Sequence, residues 1–207
     1  MALLELGTLR QFDGDRVLLR EGEVSSHLFL LLDGCVKVTA MTPEGKLALL
    51  AIRVGGDLIG ELASMDDQPR VATVTTAGPL RARLIKQADF HYFLSQFPDA
   101  SRAVSRSVGA KLRWATRRRI DFSGCEVRVR LARVLAELAA GYGHREADRI
   151  VIGVALTQPE LAALVGAAEP TVHKALAEAR RAAIIDTGYR QIIVLDAERL
   201  HAVAGVD

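Results

Sequence analysis

Two cysteines, one tryptophan and six prolines in 207 residues put several classes of protein out of reach. Cys35 and Cys125 stand far apart, with no Cys-x-x-Cys pair and no Cys/His cluster. That spacing argues against a disulfide framework and against a zinc or iron–sulfur site, so both are expected as free thiols. His27, His91, His144 and His201 show no metal-ligand spacing either, and no metal is expected. No eighteen-residue apolar run occurs, and the first residues lack the basic, apolar, small order of a signal peptide. The expected home is the cytoplasm. Nor is there a nucleophile–His–carboxylate arrangement or a Walker loop, so an enzyme is not expected.

What is present is a chain half hydrophobic, long enough to bury one large or two modest cores. Its formal charge of +2 hides an asymmetry. Residues 1–100 carry ten lysines and arginines against thirteen acids, whereas 101–207 carry seventeen against twelve. A basic half beside an acidic one suits a nucleic-acid partner at one end only.

Up to about residue 84 the chain reads as short β-prone runs at 17–19, 28–32, 36–41, 47–52, 72–76 and 81–85. Turn formers such as Asp33-Gly34, Pro43-Glu44-Gly45 and Gly55-Gly56-Asp57 separate them, as in an antiparallel roll or barrel. Helical texture follows at 88–96 and 99–121. Along the second run Val104, Val108, Leu112 and Ala115 make a narrow apolar stripe, the pattern of a two-helix seam. Ser123-Gly124-Cys125-Glu126 has capping-box form and is expected to open a helix through about residue 140, with the domain hinge placed there. Gly141-Tyr142-Gly143 is expected to end that helix. A short strand at 150–154, helices at 158–165 and 170–182, and a last strand at 192–195 complete the reading.

The most informative stretch runs from Gly60 to Val74. A cyclic phosphodiester carries one negative charge, which backbone amides at a helix start can hold. Gly60 lets the backbone approach, and Leu62 and Ala63 would offer amides. Arg70 would supply an always-charged planar fork for the exocyclic oxygens. Glu61 is an odd neighbour for an anion unless its carboxylate accepts a ribose 2′-hydroxyl proton and pairs with Arg70. A phosphate-plus-ribose recogniser explains all three.

Gly60-Glu61-Leu62-Ala63, followed at the right interval by Arg70-Val71-Ala72, resembles the cyclic-nucleotide-binding domain shared by the cyclic AMP receptor protein (CRP/FNR) group and the regulatory subunits of cyclic-AMP-dependent kinases. Val71 departs from the bacterial receptor, which has a serine there. The resemblance implies a cyclic nucleoside monophosphate, foremost cAMP, as ligand. It also implies a polar pair reading the base from the dimer helix, which falls on Ala115 and Thr116. Trp114 and the Arg117-Arg118-Arg119 run lie beside that pair, where indole or guanidinium could stack on a base. For the arginines, a solvated face or a contact with the neighbouring domain is the favoured reading.

From Leu156 to Leu176 the layout is that of a helix-turn-helix. Thr157 and Glu160 form a capping box, small Ala162 permits close helix crossing, Gly166 supplies the tight turn, and Val172 with Leu176 anchors the second helix. The unit resembles the recognition element of the same family, with 192–195 as part of its β wing. By that resemblance Thr157, Gln158 and Thr171 belong to the DNA contact, the threonines on phosphates, while Glu169, His173 and Lys174 face base edges. The receptor's Ser-Arg-Glu-Thr-x-Gly-Arg is here Ala168-Glu169-Pro170-Thr171-Val172-His173-Lys174, which implies a different operator.

The expectation is therefore an α+β protein: an antiparallel, jelly-roll-like β-roll over 1–98, a dimerisation helix over 99–122, and a winged helix-turn-helix over 123–207. It would act as a homodimeric transcription regulator, allosterically switched by the nucleotide. Double-stranded DNA and, on family grounds, RNA polymerase would be its partners. The competing reading is a nucleotide-binding or protein-interaction module whose sensor pocket is vestigial or ligand-independent.

Overall fold

In the computed structural model, described here for residues 3–188 and 191–205, the first strands alternate between two four-stranded antiparallel sheets. One sheet has the order β1 (Thr8–Phe12), β8 (Leu80–Ile85), β3 (Leu28–Asp33), β6 (Leu58–Ile59). The other runs β2 (Val17–Leu19), β7 (Thr73–Thr76), β4 (Cys35–Met41), β5 (Leu47–Val54). Strand β3 shows why its sequence is an unbroken apolar run. Phe29 and Leu31 point between the sheets, to Leu19, Val36, Ile59 and Val74. Leu28 and Leu30 point the other way, to Phe90 and Phe93 of α2 (Gln87–Gln96) and Val104 of α3 (Pro98–Gly124). A strand covered on both faces has no polar side to alternate with.

The chain divides into two compact units, Met1–Ala115 and Thr116–Asp207, and the division falls inside the continuous helix α3. In the second unit, α4 (Val127–Tyr142), α5 (Gln158–Val165), α6 (Glu169–Arg181) and α7 (Ala197–Ala204) pack with a sheet. Its order is β11 (Ile185–Gly188), β12 (Gln191–Val194), β10 (Arg149–Ile152), β9 (Gly143–Glu146). Leu131, Leu135, Leu138, Val151, Leu161, Val165, Val172 and Val194 are buried there.

Helices at 88–96, 158–165 and 170–182 lie within a residue of where the sequence places them, and the roll is the one expected. Strands β1, β6 and β9 and helix α7 are additional, as is a 3-10 turn at Leu3–Glu5. Ser123 does not cap a helix: its hydroxyl donates to the Arg119 carbonyl (3.1 Å), α3 continues to Gly124, and Glu126 is the N-cap of α4 without a side-chain bond. A serine that bonds back one turn leaves its helix free to go on.

The apolar stripe on α3 is not one seam. Val104 and Val108 pack on the roll, whereas Leu112 is 67 % exposed and Ala115 is exposed. Each four-residue step overshoots a helical turn by about 40°, so by Leu112 the stripe has rotated off the roll. Ser105, Leu112, Thr116 and Ile120 form the exposed face instead.

Candidate functional site

Within the roll, β6 delivers the chain to Gly60, which has φ +80° and caps the six-residue helix α1 (Glu61–Asp66). A side chain here is excluded twice: by the left-handed backbone, and because a Cβ would lie 2.8 Å from Arg70 Nη1 and 2.9 Å from Leu19 Cδ1. Helix α1 is tied to α2 through the Ser64 carbonyl, which accepts from Gln87 Nε2 (2.8 Å) and lies 2.7 Å from His91 Nε2. Ala63 is buried, while Leu62 and Val71 are exposed.

Arg70 turns inward and is only 4 % exposed. Its Nε donates to Ser25 Oγ (3.0 Å), Nη1 to the Gly60 carbonyl (2.8 Å) and Nη2 to the His27 carbonyl (2.5 Å). Backbone bonds hold its peptide in place, Arg70 N to the Glu23 carbonyl and Gly22 N to the Arg70 carbonyl. Three of the five guanidinium N–H groups are thus occupied by neutral acceptors, and among the described residues no carboxylate pairs with the charge. Burial pushes its pKa down, and the fields of Glu23 and then Glu61 only partly oppose this. His27 is also lowered, by burial and by Arg70 beside it.

Glu61 does not pair with Arg70. Its Oε1 lies 2.8 Å from Nζ of Lys111 on α3, and that ammonium also donates to the Leu58 carbonyl (2.5 Å). Lys111, the partner of Glu61, is the site residue that sequence reasoning missed. The signal was there, since it stands seven residues after Val104 and therefore on the roll-facing side of α3. The Arg53 guanidinium lies over the Trp114 ring, 5.6 Å from its centre. Ala115 and Thr116 are both exposed. Of the three consecutive arginines, 117 and 119 are exposed but Arg118 is 8 % exposed, with its guanidinium 5.4 Å from the Phe122 ring.

At the other end the capping box forms as read. Glu160 N donates to Thr157 Oγ1 (3.3 Å), and Thr157 N donates to Glu160 Oε2 (2.8 Å). Gly166, at φ +68°, ends α5 and turns the chain into α6. Helix α6 buries Val172, Ala175 and Leu176 and exposes Glu169, Thr171, His173 and Lys174 along one side. Gln158 is exposed and Thr157 half-buried. Strands β11 and β12 form the wing hairpin, whose tip at 189–190 lies outside the described residues.

Residues 9–97 match the family model of the cyclic nucleotide-binding domain, and 129–203 match that of the Crp-like helix-turn-helix domain. A CRP-like cAMP-activated global transcriptional regulator of Mycobacterium tuberculosis is 32 % identical over 180 residues, 87 % of this chain and 80 % of that protein. The chain belongs to the CRP/FNR family of transcription regulators. A CRP/FNR regulator from Thermus thermophilus superimposes with a TM-score of 0.80 at 26 % identity, over 96 % of this chain and 98 % of that one. FixK2 of Bradyrhizobium japonicum gives 0.82 at 19 % identity, over 96 % and 97 %, and so shares the fold. As a CRP/FNR member, the chain is a nucleotide-responsive, DNA-binding regulator. Among its described residues no helix is long and apolar enough to cross a membrane.

Proposed function

We propose that this regulator senses a cyclic nucleoside monophosphate, cAMP first among the candidates, through the phosphate's charge at Arg70. The observation that carries the reading is a guanidinium almost wholly removed from water with no carboxylate paired to it among the described residues. A buried charge without a counter-ion is costly, and a bound anion relieves that cost while using the two guanidinium donors still open. Gly60, Leu62 and Ala63 supply the close backbone, Val71 flanks the phosphate without a hydroxyl, and Glu61 takes the ribose hydroxyl in competition with Lys111. Ala115 and Thr116 are assigned to the base. The name of the mycobacterial relative, cAMP-activated, favours adenine.

The exposed face of α3 serves a homodimer, which sets two copies of α6 one helical turn of DNA apart. Thr157, Gln158 and Thr171 hold the backbone, while Glu169, His173 and Lys174 meet base edges. RNA polymerase is assigned as a partner by family membership. The test is calorimetric titration of the protein with cAMP and with cGMP, beside Arg70→Ala. Binding by wild type with at least a hundredfold loss in the variant is expected. Equal binding, or none to either protein, would dismiss the phosphate role.

A second reading has its own support. Three donors of Arg70 and the carboxylate of Glu61 already have protein partners, as a ligand-independent pocket would arrange them. Absence of heat with both nucleotides, together with full-strength DNA binding, selects that reading.

A further inference from the structure

Helix α3 does not stop at the DNA-binding unit; its last turn is built into it. Asp121 pairs with Arg133 of α4, and Arg133 Nε also donates to the Ala204 carbonyl at the end of α7 (2.7 Å). One residue on, Phe122 touches the helix-turn-helix itself. A Cβ placed on Gly166 would fall 2.6 Å from Phe122 Cε1 and 2.9 Å from Cδ1, so the ring rests directly on the turn between α5 and α6. Two guanidiniums contact the ring, which is 46 % exposed: Arg118 at 5.4 Å and Arg130 at 5.6 Å from its centre.

The turn needs such an abutment. The residue before α6 is Ala168, an N-cap with no side-chain bond, so the start of the recognition helix is not fixed by its own cap. Gly166, in the left-handed region, has no side chain of its own to fill the space at the turn, and the Phe122 ring occupies it.

We propose that Phe122 is a positioning residue for DNA recognition: by seating the last turn of α3 on the α5–α6 turn, it sets the direction in which α6 is presented. This rests on the DNA-binding reading and is independent of which nucleotide is sensed. Direction matters because two recognition helices must match two half-sites at a fixed spacing.

The experiment uses the full chain and a duplex selected by the wild type from a random pool, remade with one or two base pairs inserted or removed between its half-sites. DNA affinity is measured for wild type, Phe122→Ala, Phe122→Leu and Gly166→Asn, with and without cAMP; cAMP affinity is measured separately by calorimetry. Phe122→Ala is expected to bind the selected duplex at least tenfold more weakly, and its preference among spacings is expected to fall to within twofold. The salt dependence of its binding should stay as in wild type, because phosphate contacts are untouched. Leucine, which refills the contact, should recover affinity to within threefold. Gly166→Asn tolerates the backbone angle but drives a side chain into the ring, and should flatten the spacing preference as alanine does. It also decides the matter if Phe122→Ala fails to fold. A wild-type spacing preference in either folded variant overturns the proposal. Failure of wild type to bind cAMP would instead strike the nucleotide reading, since spacing preference is read from DNA alone.

Discussion

The cassette around Arg70 and the helix α6, for both of which phosphate chemistry is proposed, are made in opposite ways. Arg70 and Glu61 are 4 % and 5 % exposed and engaged with named partners. On α6, Glu169, Thr171, His173 and Lys174 stand in solvent, while Val172, Ala175 and Leu176 hold the helix down. A small anion can be enclosed, so the fold organises its site from within. A duplex cannot be enclosed, so its site is a surface whose side chains contribute little to stability. Removing a side chain should therefore cost stability at the first site and affinity at the second.

Lys111→Met should show the largest effect. It strands the buried Glu61 carboxylate, and breaking a partly buried pair should lower unfolding stability by about 2–3 kcal/mol in denaturant melts. Adding Glu61→Gln should return most of the loss; a single variant as stable as wild type would mean that the Glu61–Lys111 pair does not contribute to the fold. Gly166→Ala comes next, at about 1–2 kcal/mol, from its left-handed backbone and the Phe122 ring together. Pairing it with Phe122→Ala should recover the steric part only. Lys174→Ala should leave the melting midpoint unchanged and weaken DNA binding by about 1–2 kcal/mol, with relaxed preference at one base position if it reads a base. Uniform weakening across sequences would move Lys174 to the backbone contacts.

The smallest effect concerns pH. The folded pKa of His27 is depressed, so the unfolded chain takes up its proton first as pH falls. Its contribution to stability is complete above the unfolded value of about 6.5 and is lost as pH falls through the folded value. Cyclic nucleotide at Arg70 should neutralise one of the causes and raise the His27 pKa, which proton-resonance titration with and without cAMP reads directly.

The residues whose roles are local were legible in the sequence. Gly60, the Thr157–Glu160 box and the Gly166 turn all stand in short motifs in which spacing dictates the geometry, whereas the partners of Arg70 at Ser25 and His27 come from more than forty residues away. Helix α3 was half legible: its existence followed from periodicity, but the drift of Val104, Val108 and Leu112 around the axis separates the roll contact from the exposed face. Ser123 looked like a cap because its hydroxyl has two available partners, and with α3 continuing to Gly124 it bonds back one turn to the carbonyl of Arg119. Pairings between distant residues were not legible as pairs: helical spacing puts Lys111 on the roll-facing side of α3 but does not name its partner. Lys111 meets Glu61 across fifty residues, and Phe122 meets Gly166 across forty-four, joined only by the fold.

If charge at Arg70 is felt at the recognition helix, operator affinity should register it when measured with and without saturating cAMP, in wild type and in Arg70→Ala. Wild type should gain at least tenfold from the nucleotide and the variant nothing. The same affinity in all four measurements would contradict the account.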